Sequence, residues 1–112
     1  MILTLSMATV ANAVSPERLF PLKASHQEAR IQISEGTVLL LQNDWATRLN
    51  ETIITDMHSG GRIAQIEKIE AGQTVSLEFS HKGIFSICYF SGPKIDGTRR
   101  CHKIDVISVT AA

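Results

Sequence analysis

Thr74-Val75-Ser76-Leu77-Glu78-Phe79-Ser80-His81-Lys82-Gly83-Ile84-Phe85-Ser86-Ile87-Cys88-Tyr89-Phe90 is the stretch that decides how this chain folds. Val75, Leu77 and Phe79 alternate with Ser76, Glu78 and Ser80, a period of two that makes a half-buried strand and does not suit a helix. Lys82-Gly83 supplies a turn. A second strand follows, with Phe85, Ile87 and Tyr89 on one face and Ser86, Cys88 and Phe90 on the other. A slip of one residue would exchange the two faces. The parity of Cys88 against Tyr89 therefore decides which of them enters the interior, and with it what chemistry the interior can hold.

Further short strands lie on either side of this hairpin. Ile31-Gln32-Ile33 precedes a turn at Ser34-Glu35-Gly36, and the run from Thr37 to Asn43 is apolar on both faces, as expected of a strand covered on both sides. Asn43-Asp44 ends it, Trp45 to Asn50 reads as a loop, and Glu51 to Met57 as the next strand. After the turn His58-Ser59-Gly60-Gly61, residues 62–69 fit neither template, because Ile63, Ile66 and Ile69 recur every third position. The last strand runs from Lys103 to Val109, with Ile104 and Val106 on one face. Many short strands, glycine-containing turns and no long helical pattern predict an all-β, antiparallel Greek-key sandwich. The expected core is Val75, Leu77, Phe79, Phe85, Ile87, Tyr89, Ile104, Val106 and either Leu39 or Leu40. Residues 14–29, with Pro16 and Pro21, read as an irregular segment, a linker or an edge strand, and the domain proper as 30–112.

At 112 residues the chain is long enough for one modest core. A formal net charge of zero and a pI near 6.9 give no electrostatic case for nucleic acid as a partner. Residues 1–13 carry no charged side chain and end in Ala11-Asn12-Ala13, the small-x-small form of a signal-peptidase site, although no Lys or Arg precedes the apolar run. They read as a signal-peptide remnant of an exported protein, periplasmic or secreted; the other reading is a frayed terminal element. A transmembrane span needs about 20 apolar residues, more than this run has. Cys88 and Cys101 suit a disulfide in such a compartment, with a metal thiolate or two unrelated buried thiols as the alternatives. No nucleophile-and-base pattern, phosphate-cradling loop or zinc-protease helix is present in the sequence, so an enzyme is not expected. His58, His81 and His102 are weak candidates for a nonstandard copper or zinc site, their other reading being solvated turn residues. Trp45 and Phe90 form a candidate contact surface, since large aromatics anchor interfaces; alternatively each covers an end of the sandwich. Asn50-Glu51-Thr52 matches the N-glycosylation sequon.

The succession Ile31 to Val38, Leu41-Gln42-Asn43-Asp44, Glu70 to Phe79, Gly83 to Ile87 and Lys103 to Val106 resembles the cupredoxins, the plastocyanin and azurin type of small blue-copper protein, over roughly residues 30–109. The resemblance implies a sandwich that binds one copper through two His, a Cys and an axial Met. Carried over by position, the first His falls on Leu49, the Cys on Tyr89, the second His near Gly92 and the Met near Arg100. Cys88 stands one residue early and by parity faces the other side of the sheet. The resemblance thus implies a cupredoxin-like protein without a type-1 copper set and with no cofactor, a binding or accessory module whose partner is another exported protein. The alternative is a copper-binding or electron-transfer protein with a rearranged metal site.

Overall fold

The structure, a computed structural model, describes residues 16–92 and 97–108. The signal-peptide reading of 1–13 lies outside the described residues, as does Val109. Among the described residues there are eight strands: β1 (Glu17–Leu22), β2 (Arg30–Ser34), β3 (Thr37–Asn43), β4 (Leu49–Asp56), β5 (Arg62–Ile69), β6 (Thr74–Phe79), β7 (Gly83–Ser91) and β8 (Thr98–Ile107). They form a three-stranded sheet, β1-β3-β6, and a five-stranded sheet, β2-β8-β7-β4-β5. The chain passes repeatedly from one sheet to the other, and apolar side chains from both inner faces close the space between them.

β7 shows how the sequence sets this arrangement. Phe85, Ile87, Tyr89 and Ser91 are buried while Ser86, Cys88 and Phe90 are half-buried on the outer face, the alternation the sequence predicts. On the opposing sheet Phe20, Leu22, Leu39, Leu41 and Phe79 point inward to meet them. Leu39, not Leu40, is the core residue of β3. Val75 and Leu77 pack against the core but are only partly buried, because β6 is an edge strand. Each fully buried Leu or Ile contributes about 1.5–3 kcal/mol by leaving water.

Three expectations need correction. The sandwich is not wholly antiparallel: β1 pairs with β3, and β2 with β8, in parallel. Alternation of side chains is the same in both ladder types, so it carries no information on direction. The folded unit does not begin at residue 30: of the readings of 14–29 the edge strand holds for β1, whose Phe20 and Leu22 are buried, so the unit reaches back to Glu17. Pro21 is tolerated there because an edge strand can leave one amide unpaired. Finally, residues 62–69 are a strand, and the loop read as Trp45 to Asn50 ends at Leu49, where β4 begins.

The odd spacing in β5 has its cause in β4. The β4–β7 register shifts between Asn50 and Ile53, and Glu51 there has a φ of 50°, so the inward residues of β4 are Leu49, Thr52 and Ile54. Their partners on β5 are Ile69, Ile66 and Ala64. A bulge breaks the period of two on both strands, and the three-residue spacing of Ile66 and Ile69 is its footprint.

Candidate functional site

One end of the sandwich is built where β4 starts and β7 stops. Asn43, at the end of β3 and 1% exposed, organises it. Its Nδ2 donates to the carbonyls of Thr47 (2.9 Å) and Ile69 (2.8 Å), and its Oδ1 accepts from the Trp45 amide (2.8 Å). A short amide side chain that binds the backbone two residues on is an ordinary turn former. Here it fixes the loop that presents Trp45.

Trp45 then closes over Tyr89. The indole Nε1 donates to the Tyr89 hydroxyl at 3.0 Å, and the two rings meet edge to face, 6.2 Å apart. The Arg100 guanidinium lies over the indole at 5.6 Å from the ring centre. Tyr89 is fully buried, and burial raises its phenol above the usual 10.0 despite the Trp45 hydrogen bond and the Arg100 charge. Thr47 and Ser91 join their hydroxyls at 2.9 Å, and Asn50 Nδ2 donates to the Gly92 carbonyl at 2.9 Å. The sequon residues are thus engaged in the fold: the Asn50 amide is bound to Gly92 and Thr52 is fully buried.

Leu49, Tyr89, Gly92 and Arg100, the four positions that the resemblance assigns to copper ligands, lie at this end. Leu49 is fully buried and Tyr89 is held by Trp45. Gly92 has a φ of 89°, a conformation that a side-chain-bearing residue such as His adopts only with strain. Arg100 brings a cation. An aliphatic group, a phenol, a glycine and a guanidinium do not make the two-imidazole, one-thiolate donor set of a type-1 centre. These four residues do not fit a type-1 copper centre.

His102 lies just beneath, on the same face of β8 as Arg100, and is 1% exposed. Its Nδ1 accepts the Ala29 amide at 2.9 Å, and its ring is edge-on to Phe20 at 5.4 Å and tilted against Tyr89 at 5.8 Å. Burial, with the neighbouring His26 and Arg100 charges, holds its pKa below 6.5, Glu28 opposing. An imidazole whose Nδ1 accepts carries its proton on Nε2, so neither nitrogen offers a lone pair to a metal. Nε2 itself is buried without a hydrogen-bond partner, as is Arg100 Nε.

The other two candidate histidines, His58 and His81, lie toward the opposite end. His58 follows β4 in a turn that its own amide fixes by donating to Asp56 Oδ1 at 2.9 Å, and His81 is exposed between β6 and β7. His102 pairs with Ile87, which pairs with Ile54, so two ladder positions separate it from Asp56 and the turn that carries His58. Among the described residues no three of His, Cys, Asp or Glu gather closely enough to hold a metal. Cys88 and Cys101 form a disulfide on the outer face, directly opposite each other in the β7–β8 ladder. Trp45 is packed against the core, and Phe90 is half-buried on the outer face. Three of the exposed apolar side chains, Met57, Ile84 and Ile107, line an open groove of about 790 Å³ at the His58 end, while Leu19 and Ile63 lie outside it. Sequence reasoning missed the bracing by Asn43 and the Arg100–Trp45 stack. An Asn closing a strand was the available signal for the first; nothing local announces the second.

No family model matches the chain, and no curated protein matches it. Solved structures do. A reduced amicyanin variant superposes with a TM-score of 0.57 at 15% identity, over 86% of this chain and 87% of that one. A second reduced amicyanin variant gives 0.56 at 13%, over the same shares. A purple cupredoxin from Nitrosopumilus maritimus gives 0.48 at 18%, over 69% of this chain and 76% of that one. The fold is cupredoxin-like.

Proposed function

We propose that this protein is a cupredoxin-like module that works by binding another protein, without a type-1 copper centre and without enzymatic turnover. The observation that carries this reading is the chemistry of Leu49, Tyr89, Gly92 and Arg100, the positions that the resemblance assigns to copper ligands, with Trp45 closed over Tyr89. The Tyr89 hydroxyl already accepts from Trp45, and the Arg100 guanidinium lies against the indole. The hydrogen bond into His102 Nδ1 supports the same view. Contact with a partner is best served by the groove of Met57, Ile84 and Ile107, since exposed apolar side chains that cluster, rather than scatter, mark interaction surfaces. The uncharged run at 1–13 and the disulfide support export, and hence a periplasmic or secreted partner.

The test adds copper(II) to purified full-chain protein and follows metal content and visible absorption. The reading requires a colourless protein with no stoichiometric copper. A strong thiolate-to-copper band lost in Cys88→Ser would refute it and restore the rearranged copper site. For the contact surface, a photocrosslinker placed at Ile84 in the producing cell should yield one defined adduct that a crosslinker at Glu67 does not. Equal adducts from both positions would remove the groove from consideration.

A further inference from the structure

The outer face of the five-stranded sheet carries a second chemically competent feature. Cys88 and Cys101 lie directly opposite each other and are joined across the β7–β8 ladder. Cys88 is half-buried and lines a pocket of about 330 Å³ together with Glu51, Ile53, Phe90, Arg62 and Arg99. Cys101 does not line it. On β8, Arg99 and Lys103 stand two residues to either side of Cys101 on the same face, about 7 Å away along the strand. Asp105, the next residue on that face, is engaged by Arg30 at 3.0 Å. Both cysteines are half-buried, and they differ in that only Cys88 lines the pocket, while Arg99, also on its lining, and Lys103 flank Cys101 along β8.

We propose that Cys88–Cys101 is a thiol–disulfide exchange site that reacts with a dithiol partner while the protein stays folded. The partner's thiolate attacks Cys88 Sγ from the pocket. The S–S bond breaks, and its electron pair leaves with Cys101 Sγ, whose thiolate is stabilised by Arg99 and Lys103; a less basic thiolate leaves faster. The partner's second thiolate then attacks the partner sulfur of the mixed disulfide and releases Cys88. The partner dithiol becomes a disulfide, the protein disulfide becomes a dithiol, and two electrons and two protons have moved from partner to protein. Cleavage does not require the strands to part, because the ladder from Gly83↔Val106 to Ser91↔Thr98 holds β7 against β8 on either side of the bridge. This site is on the opposite face of the sheet from Tyr89 and is independent of the copper-free reading.

The experiment treats oxidised full-chain protein with reduced glutathione in the absence of denaturant. Free thiols are captured by rapid alkylation and located by peptide mass spectrometry, while circular dichroism follows the fold. The expected result is complete reduction with an unchanged spectrum, and an intermediate bearing glutathione on Cys88 and the alkyl group on Cys101. Arg99→Gln with Lys103→Gln should slow reduction several-fold and leave the spectrum as it was. Reduction only after denaturant is added, glutathione first on Cys101, or an unaltered rate in the double variant would each overturn the proposal.

Discussion

Removing the Tyr89 hydroxyl isolates the contact that fills the ligand end of the sandwich. Tyr89→Phe keeps the ring, so no cavity forms and the edge-to-face packing on Trp45 is retained. What is lost is the hydrogen bond from Trp45 Nε1, at 3.0 Å. Such a bond contributes about 0.5–1.5 kcal/mol net. The lower part of that range applies, because Trp45 is only partly buried and water can replace the acceptor. Removing the whole side chain in Tyr89→Ala is a different event. A fully buried aromatic ring leaves a cavity, at about 3–5 kcal/mol. Trp45→Phe completes a double-mutant cycle, which should show a coupling of about 0.5–1.5 kcal/mol. Urea denaturation followed by far-ultraviolet circular dichroism is the suitable assay, since the chain's single tryptophan is itself replaced. Additivity of the two single substitutions to within about 0.3 kcal/mol would mean that Trp45 and Tyr89 do not hold each other, and the account of a closed ligand end would fail.

His102 should make the fold sensitive to mild acid: burial lowers its pKa from 6.5, so the unfolded chain binds a proton that the native protein resists. The stability it contributes is complete above about pH 6.5 and is lost as pH falls through the lowered native value, so the urea midpoint should drop between pH 8 and pH 5, with a shallower drop in His102→Gln; equal slopes in the two proteins would contradict this. Leu49→His, which restores one ligand-type residue, should cost about 2 kcal/mol or more, because it places a polar ring in a fully buried apolar site; it should still take up no copper, and a stable copper-binding variant would show that this end is open. Replacing both Cys88 and Cys101 by Ser removes a bridge spanning 13 residues and should lower stability by about 3 kcal/mol, measured against the oxidised protein by denaturation.

What was legible in the sequence follows from what alternation encodes. The inward set of β7, the outward set of Cys88 and Phe90, the burial of Ile104 and Val106 and the disulfide could all be read from a period of two and a pair of cysteines. Strand direction could not, since parallel and antiparallel ladders impose the same alternation. β1 was legible only as one of three readings, because Glu17-Arg18-Leu19-Phe20-Pro21-Leu22 has charges at its start and a proline within. It is a strand because β3 offers it a ladder and the core takes Phe20 and Leu22. The sequence also had less to say of the end where Tyr89 is buried. It could not show the Trp45–Tyr89 hydrogen bond or the role of Ala29 in fixing His102, which link residues 44 and 73 positions apart.

A displacement of one residue along β7 changes a cysteine's face, and with it every chemical option open to it. At position 89 the side chain enters a dry interior beside Trp45 and His102; at position 88 it meets Cys101 across the ladder and borders a pocket. Exchanging the two residues would not recover a metal centre. A thiol in place of the Tyr89 phenol would face His102, whose Nδ1 is already taken by the Ala29 amide, and Leu49, which has no donor atom. The exchange would also leave Cys101 without its partner and put a phenol on the outer face. The inner and outer faces of β7 are therefore set apart by one parity, with packing on one side and a disulfide on the other.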